Sequence, residues 1–383
     1  MQPWKSKIPF SPLFLSLSLF VVAVFLYNEN VRRIQEAKAA LLYREEGVGN
    51  GSRARNLRRP ERNGRERRAQ DECDLFSGRW VLDNFSHPLY SEEERPYMSD
   101  QLAWRKYGRP DMAYRSWRWQ PHHCNLTRWN ATAMLEKLRG KRLMFVGDSL
   151  NRGQWISMVC LLQSVLSPTK KSMTPKNFLT IFTAEEYNAT VEFYWVPLLV
   201  ESNSDDPVNH RLSSRIIRPD SIAKHGSYWK HADILVFNSY LWWRGELKIK
   251  LLKGEPCEES EGLDAMNEAL RTWADGVDSN VDARKTRVFF VTMSPIHLWT
   301  TLIEREDYWG SGSDLRMKSV LENVFRERRS RVTVLNITPL SEYQKDETFK
   351  PKQLLHPEGH ADCIHWCLPG VLDVWNELLF NLL

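Results

Sequence analysis

Gly147-Asp148-Ser149 follows a short apolar run, Arg142 to Val146, and precedes a helical run from Asn151 to Val165. A serine hydroxyl is thereby set where a buried strand ends and a helix begins. Free backbone N–H groups and the partial positive charge of a helix start can steady a developing oxyanion at that place. The glycine lets neighbouring backbone come close. A serine attacks a carbonyl only when a base takes its proton, and a histidine held by a carboxylate is the usual base. Asp362 and His365, near the C-terminus, can share one face of a turn and supply that pair. The chemistry of such a set is acyl transfer through an acyl-serine. The competing reading is that Asp148 or Ser149 simply caps a helix. The triplet is also not the Gly-x-Ser-x-Gly elbow of another hydrolase fold.

Further candidates stand around this set. Asn238 ends the apolar run Asp233 to Phe237, so its amide is placed as a second oxyanion donor, or as an ordinary turn asparagine. Arg152 is a polar contact near the serine. Sixteen tryptophans are present, and Trp195, Trp242, Trp243 and Trp299 are candidates for stacking on sugar rings, against the plainer reading that they fill the core. A zinc site built from Cys363, His365 and Cys367 with His356 or His360 is the alternative at the C-terminal cluster, but no second paired cluster accompanies it. No metal is expected. Ser204-Asp205-Asp206, in a polar loop, is a poor match for the metal-binding acidic motif of a glycosyltransferase.

The elements that must hold these groups alternate in type. Strand patterns at Arg142 to Val146, Asp233 to Phe237 and Arg287 to Thr292 are interspersed with helical runs at Gly262 to Gly276, Ser313 to Arg328 and Gly370 to Leu383. That alternation predicts an α/β fold with a mostly parallel sheet covered on both faces. A chain of 383 residues with 42% hydrophobic residues has room for such a core. The net charge of +5 comes from an arginine-rich stretch between Arg53 and Arg68, so nucleic acid is not the expected partner.

Ahead of the globular part, residues 8–28 form an uncharged apolar run behind Lys5 and Lys7, long enough at about 20 residues to span a bilayer and without a small-residue cleavage site. It predicts an uncleaved signal anchor, with residues 1–7 as a cytoplasmic tail and a polar stem over residues 29–71. Sequons at Asn50, Asn84, Asn125, Asn130, Asn188 and Asn336 agree with a lumenal location for the rest. In that oxidising compartment several of the six cysteines can pair, and spacing alone leaves the connectivity open.

Taken together, these residues resemble the trichome birefringence-like family of plant cell-wall polysaccharide O-acetyltransferases, relatives of GDSL/SGNH esterases. The likeness rests on Cys73-Asp74-Leu75-Phe76-Ser77-Gly78-Arg79-Trp80-Val81, Pro88-Leu89-Tyr90, Gly108-Arg109-Pro110-Asp111 and Trp117-Arg118-Trp119-Gln120-Pro121. To these it adds Gly147-Asp148-Ser149-Leu150-Asn151-Arg152 and Asp362-x-x-His365-Trp366-Cys367-Leu368-Pro369-Gly370. It implies an SGNH/GDSL-like three-layer α/β/α fold with a smaller lobe, an N-terminal signature region at 72–125 and a catalytic region at 126–383. It also implies Ser149 as nucleophile, His365 as base and Asp362 as its orienting carboxylate. The implied reaction is O-acetylation of xylosyl residues of xylan, or of a related hemicellulose, at the 2-O or 3-O position by a type II protein of the Golgi membrane. No tightly bound cofactor is implied, only an acetyl donor such as acetyl-CoA or an acetylated intermediate. An acetylesterase or a non-catalytic polysaccharide-binding protein is the alternative. Arg95-Pro96-Tyr97 and Leu102-Ala103-Trp104 stand where the family has two more cysteines. By the family's pairing, Cys73–Cys124 and Cys257–Cys363 are then the expected disulfides, with Cys160 and Cys367 left as thiols.

Overall fold

The computed structural model describes residues 73–92, 96–103, 105–106, 112–210, 212, 214–244, 248–253, 257–295, 314–328, 331–343 and 364–383. Along the chain these form β1 (Gly78–Leu82), β2 (Trp117–Pro121), α1 (Ala131–Leu138), β3 (Arg142–Gly147), α2 (Ser149–Leu162), β4 (Lys171–Lys176), β5 (Leu179–Ala184), β6 (Ala189–Trp195), β7 (Glu201–Ser202) and β8 (Arg215–Arg218). There follow α3 (Ala223–Trp229), β9 (Ile234–Asn238), β10 (Ile249–Leu251), β11 (Glu258–Ser260), α4 (Gly262–Asn280), β12 (Arg287–Val291), α5 (Leu315–Arg328), β13 (Val332–Leu335), α6 (Thr338–Tyr343) and α7 (Val371–Leu382).

Leu143, Met144, Phe145 and Val146 are all buried, as a central strand with both faces covered requires. Successive residues of β3 feed opposite cores, because strand side chains alternate. Leu143 and Phe145 pack with Trp155 of α2 and Leu372 and Trp375 of α7, whereas Met144 and Val146 pack with Trp273 of α4 and Val324 of α5. The main sheet runs in the order β13-β12-β9-β3-β6-β5-β4. From β13 to β6 its neighbours are parallel, as expected, but β4 and β5 join antiparallel as an edge meander. The sheet is therefore mixed. A second sheet, β11-β10-β8-β7, makes the smaller lobe.

The anchor at 8–28 and the stem at 29–71 lie outside the described residues. Among the described residues no helix is long and apolar enough to cross a membrane.

The hairpin β1–β2 is closed by the expected Cys73–Cys124 disulfide, with Cα atoms 5.5 Å apart. Its Trp80 and Trp119 meet edge to face at 5.7 Å, and Trp80 Nε1 donates to the Leu340 carbonyl of α6 at 2.8 Å. The hairpin is thus docked on the catalytic part. The expected Cys257–Cys363 bond is not formed at its described end: Cys257 is an exposed free thiol where the β11 hairpin strand begins, and Cys363 lies outside the described residues. Cys160 and Cys367 are buried thiols.

The helix that starts at Ser149 and the helix that follows His365 are locked by a buried polar network. Asp373, in the first turn of α7, accepts from Ser157 Oγ of α2 at 2.6 Å, from Tyr90 Oη at 2.8 Å and from the Gly370 N–H at 2.8 Å. Asn376 Nδ2 donates to the Gln154 carbonyl and to Ser157 Oγ, both at 2.9 Å. Burial pushes the Asp373 carboxyl up to about 7 despite these donors. The folded state therefore holds its proton more tightly than the unfolded chain, in which an aspartate titrates near about 3.9. The stability this group contributes is fully present below about pH 4 and is lost as pH rises toward 7. In Asp373→Asn, with the amide oxygen toward Gly370 and the two hydroxyls turned to accept, that loss is absent. Urea midpoints at pH 5 and pH 7.5 will differ less in the variant than in the wild type.

Candidate functional site

In the parallel register Gly147 lies between Trp195 of β6 and Asn238 of β9, so the carboxyl ends of β6, β3 and β9 finish level. An α/β sheet binds ligands at this edge. Gly147 is required by packing: a Cβ there would stand 2.2 Å from the Asn238 carbonyl oxygen. Beneath it Asn151 Nδ2 bridges the two strands, donating to the Val146 carbonyl at 2.8 Å and the Val236 carbonyl at 3.0 Å.

Asp148 caps α2, accepting from the Leu150 N–H at 2.9 Å, and is wholly buried. Burial pushes its carboxyl up to about 6, against the pull of that N–H and of the facing His365. The cap reading is thus correct for Asp148, which turns its side chain into the protein and not toward a substrate. Ser149, the next residue, projects its hydroxyl to the half-buried His365, with Oγ to Nε2 at 2.7 Å.

His365 is delivered by a tightly fixed segment. Trp366 Nε1 donates to Ser294 Oγ at 2.8 Å just past β12, and the Leu368 N–H donates to the Leu102 carbonyl at 3.0 Å. Trp375 Nε1 bonds Ser341 Oγ at 3.0 Å, so α7 is held from two sides. None of these anchors carries a signal in the sequence, because each joins residues remote along the chain. Asp362 lies outside the described residues, as do Cys363, His356, His360 and Trp299. Among the described residues no group of three His, Cys, Asp or Glu side chains is gathered as a metal site needs. A hydroxyl in hydrogen-bond contact with an imidazole at a helix start is equipped to form and break an ester.

The other candidates divide. Asn238 is at the expected edge, yet its Nδ2 donates to the carbonyls of Val291 at 3.1 Å and Thr292 at 3.3 Å. Its amide hydrogens satisfy the end of β12 and are not aimed at an oxyanion, so the second-donor expectation is corrected. Trp243 is buried and donates to Ser239 Oγ at 2.8 Å; Trp195 is buried and donates to the Ser204 carbonyl at 3.0 Å. Both are core, which corrects the sugar-stacking expectation for them. Trp242 is half-buried, with the Arg215 guanidinium 4.9 Å over its ring and His210 and Trp195 at its edges, at 5.5 and 6.0 Å. Arg215 and His210 were not legible as neighbours of Trp242. Arg152 is half-buried one turn beyond Ser149 and donates to Gln101 Oε1.

Comparison with known proteins places this geometry. Residues 126–382 match PC-Esterase, described as the GDSL/SGNH-like Acyl-Esterase family found in Pmr5 and Cas1p, and residues 71–125 match the PMR5 N terminal Domain. Protein trichome birefringence-like 35 of Arabidopsis thaliana is 56% identical over an alignment of 349 residues that covers 84% of this chain and 78% of that protein. Probable xylan O-acetyltransferase 10 of Oryza sativa subsp. japonica is 47% identical, over 81% of this chain and 77% of its own. Xylan O-acetyltransferase 12 of the same plant is 44% identical, over 81% of this chain and 69% of its own. With its serine and histidine joined at the carboxyl edge of a mixed α/β sheet, this chain belongs to the PC-Esterase family and, within it, to the trichome birefringence-like acetyltransferases.

Proposed function

We propose that this protein transfers acetyl groups to hydroxyls of xylosyl residues in xylan, at the 2-O or 3-O position, in the lumen of the Golgi apparatus. The observation that carries the reading is the 2.7 Å contact between Ser149 Oγ and His365 Nε2. The xylan O-acetyltransferases among its relatives support the acceptor. The apolar run at 8–28 supports a type II membrane anchor, and the exposed sequon residues Asn84, Asn125, Asn130 and Asn188 support a lumenal catalytic part.

In this mechanism His365 Nε2 takes the proton of Ser149 Oγ as the oxygen attacks the acetyl carbonyl of the donor. The Ser149 N–H, at the start of α2, stabilises the tetrahedral oxyanion, because the Leu150 N–H is committed to Asp148. Collapse expels the donor's leaving group, which takes the proton from His365, and leaves acetyl-Ser149. A sugar hydroxyl then attacks the ester as His365 accepts its proton, and the second collapse returns that proton to Ser149. Asp362 is assigned to hold the imidazole, and Trp242, half-buried just past the end of β9, is the remaining candidate for a sugar contact.

The test uses the full chain in detergent micelles with an acetyl donor and xylo-oligosaccharides, followed by mass spectrometry. Acetylated sugar is the expected product. Free acetate without acetylated sugar would make the protein an esterase and overturn the acceptor assignment.

A further inference from the structure

The fold treats two of its half-buried arginines in opposite ways. Arg142, at the amino edge of the sheet, is held by both oxygens of the buried Glu192, with Nε and Nη2 each at 2.8 Å. Arg152, at the carboxyl edge, has no carboxylate within ion-pair reach among the described residues, and its Nη2 donates to the neutral Gln101 Oε1. Burial holds its guanidinium below the usual arginine value. A desolvated cation without a counter-charge is costly, and proteins ordinarily pair one or keep it for a ligand.

Its position says which ligand. On α2 a residue three beyond Ser149 lies on the same side, and long helical side chains lean back toward the helix start. Gln101 comes from the other direction. Its neighbour Leu102 accepts from the Leu368 N–H at 3.0 Å, in the segment that carries His365, and lies 4.0 Å from where a Cβ on Gly153 would be. The guanidinium is therefore carried by the helix of the serine and bonded to a residue whose neighbour is bonded to the segment of the histidine. Its acceptor comes from the N-terminal domain.

We propose that Arg152, oriented by Gln101, is the anion-recognition residue of this site and takes a carboxylate or phosphate of the substrate being acetylated or of the acetyl donor. The inference rests on the reading of Ser149 and His365 as the reaction centre. A planar guanidinium matches either oxyanion with two parallel hydrogen bonds. A carboxylate would come from an acidic sugar on the acceptor polymer, and a phosphate from a nucleotide-linked thioester donor.

The test measures binding and not turnover, in full-chain Ser149→Ala protein. Two ligand pairs are titrated calorimetrically: a uronic acid-bearing xylo-oligosaccharide against its carboxyl-reduced alcohol, and coenzyme A against pantetheine. In one pair the anionic member is expected to bind at least about tenfold tighter, and that pair names the source. Arg152→Gln and, separately, Gln101→Glu should bring the ratio close to one. The glutamate gives Arg152 the carboxylate it lacks without removing the cation, so it acts even where Arg152→Gln impairs folding. A preference absent from both pairs, or one that survives Gln101→Glu, overturns the proposal. Failure of wild-type acetyl transfer would overturn the proposed function while leaving these binding ratios measurable.

Discussion

Replacing Ser149 with alanine will abolish acetyl transfer, by a factor between about 10³ and 10⁶, while leaving the protein folded. The split between the two effects follows from the local structure. Ser149 Oγ bonds only His365 among the described contacts, whereas the cap of α2 is made by Asp148 and the packing of the helix by Trp155 and its neighbours. Removing the hydroxyl therefore costs the nucleophile and little else, and the melting temperature should move by no more than a surface substitution moves it. His365→Ala should cost a similar factor, because a serine with no base is as inactive as a base with no serine. The sharper expectation concerns the double variant. If the two groups act as one unit, Ser149→Ala combined with His365→Ala will be no slower than either single variant, since residues of one catalytic unit are strongly non-additive. Losses that multiply would show that the two act independently and would overturn the mechanism. The assay is acetyl transfer to xylo-oligosaccharides, with thermal melts of all three variants alongside.

The strand–serine–helix unit was legible because its pattern is local. Leu143 to Val146 is an uninterrupted apolar run of the length a doubly covered strand has, and α2 follows at once. The same holds for α4, α5 and α7, whose amphipathic patterns fixed them to within a few residues. The antiparallel meander was missed because β4 reads Lys-Ser-Met-Thr-Pro-Lys, an exposed edge strand with too few apolar positions to show a period. The smaller sheet was missed because its strands have two to four residues each and exist only through their neighbours. The wider α/β/α plan and the family came from linked motifs and not from periodicity.

At the site, sequence reasoning found the edge but not the direction of the side chains. Asn238 was rightly set level with Gly147, yet which way its amide turns depends on the carbonyls of Val291 and Thr292, which need donors where β12 ends. Trp195 and Trp243 went into the core for a similar reason: an indole N–H is satisfied indoors when a carbonyl or hydroxyl faces it. Tyr90, Ser157, Asp373 and Asn376 could not be foreseen as one network, since nothing in any single segment marks partners that lie hundreds of residues away. Yet this network, more than any motif, sets the serine against the histidine.

Gly147→Ala is expected to damage both stability and activity, and comparison with Gly153→Ala isolates the reason. The new methyl at position 147 would meet the Asn238 carbonyl oxygen at 2.2 Å and Asn151 Nδ2 at 3.0 Å. Neither can yield freely, because the first is backbone of a central strand and the second bridges β3 to β9. The strands must part, at a cost of about 1 to 3 kcal/mol or more, and Ser149, two residues on, moves with them. A shift of about 1 Å in a reacting group can cost about a hundredfold in rate, so activity should fall further than stability alone requires. At position 153 the added methyl meets only Leu372 Cδ1 at 3.0 Å and Leu102 methyls at 4.0 Å, the far ends of side chains that can rotate. There the gain of about 1 kcal/mol from replacing glycine inside a helix offsets the crowding. Chemical denaturation and acetyl transfer of the two variants, measured together, will therefore rank Gly147→Ala far below Gly153→Ala in both. Equal behaviour would mean that the close approach of β3 and β9 does not set the position of the nucleophile.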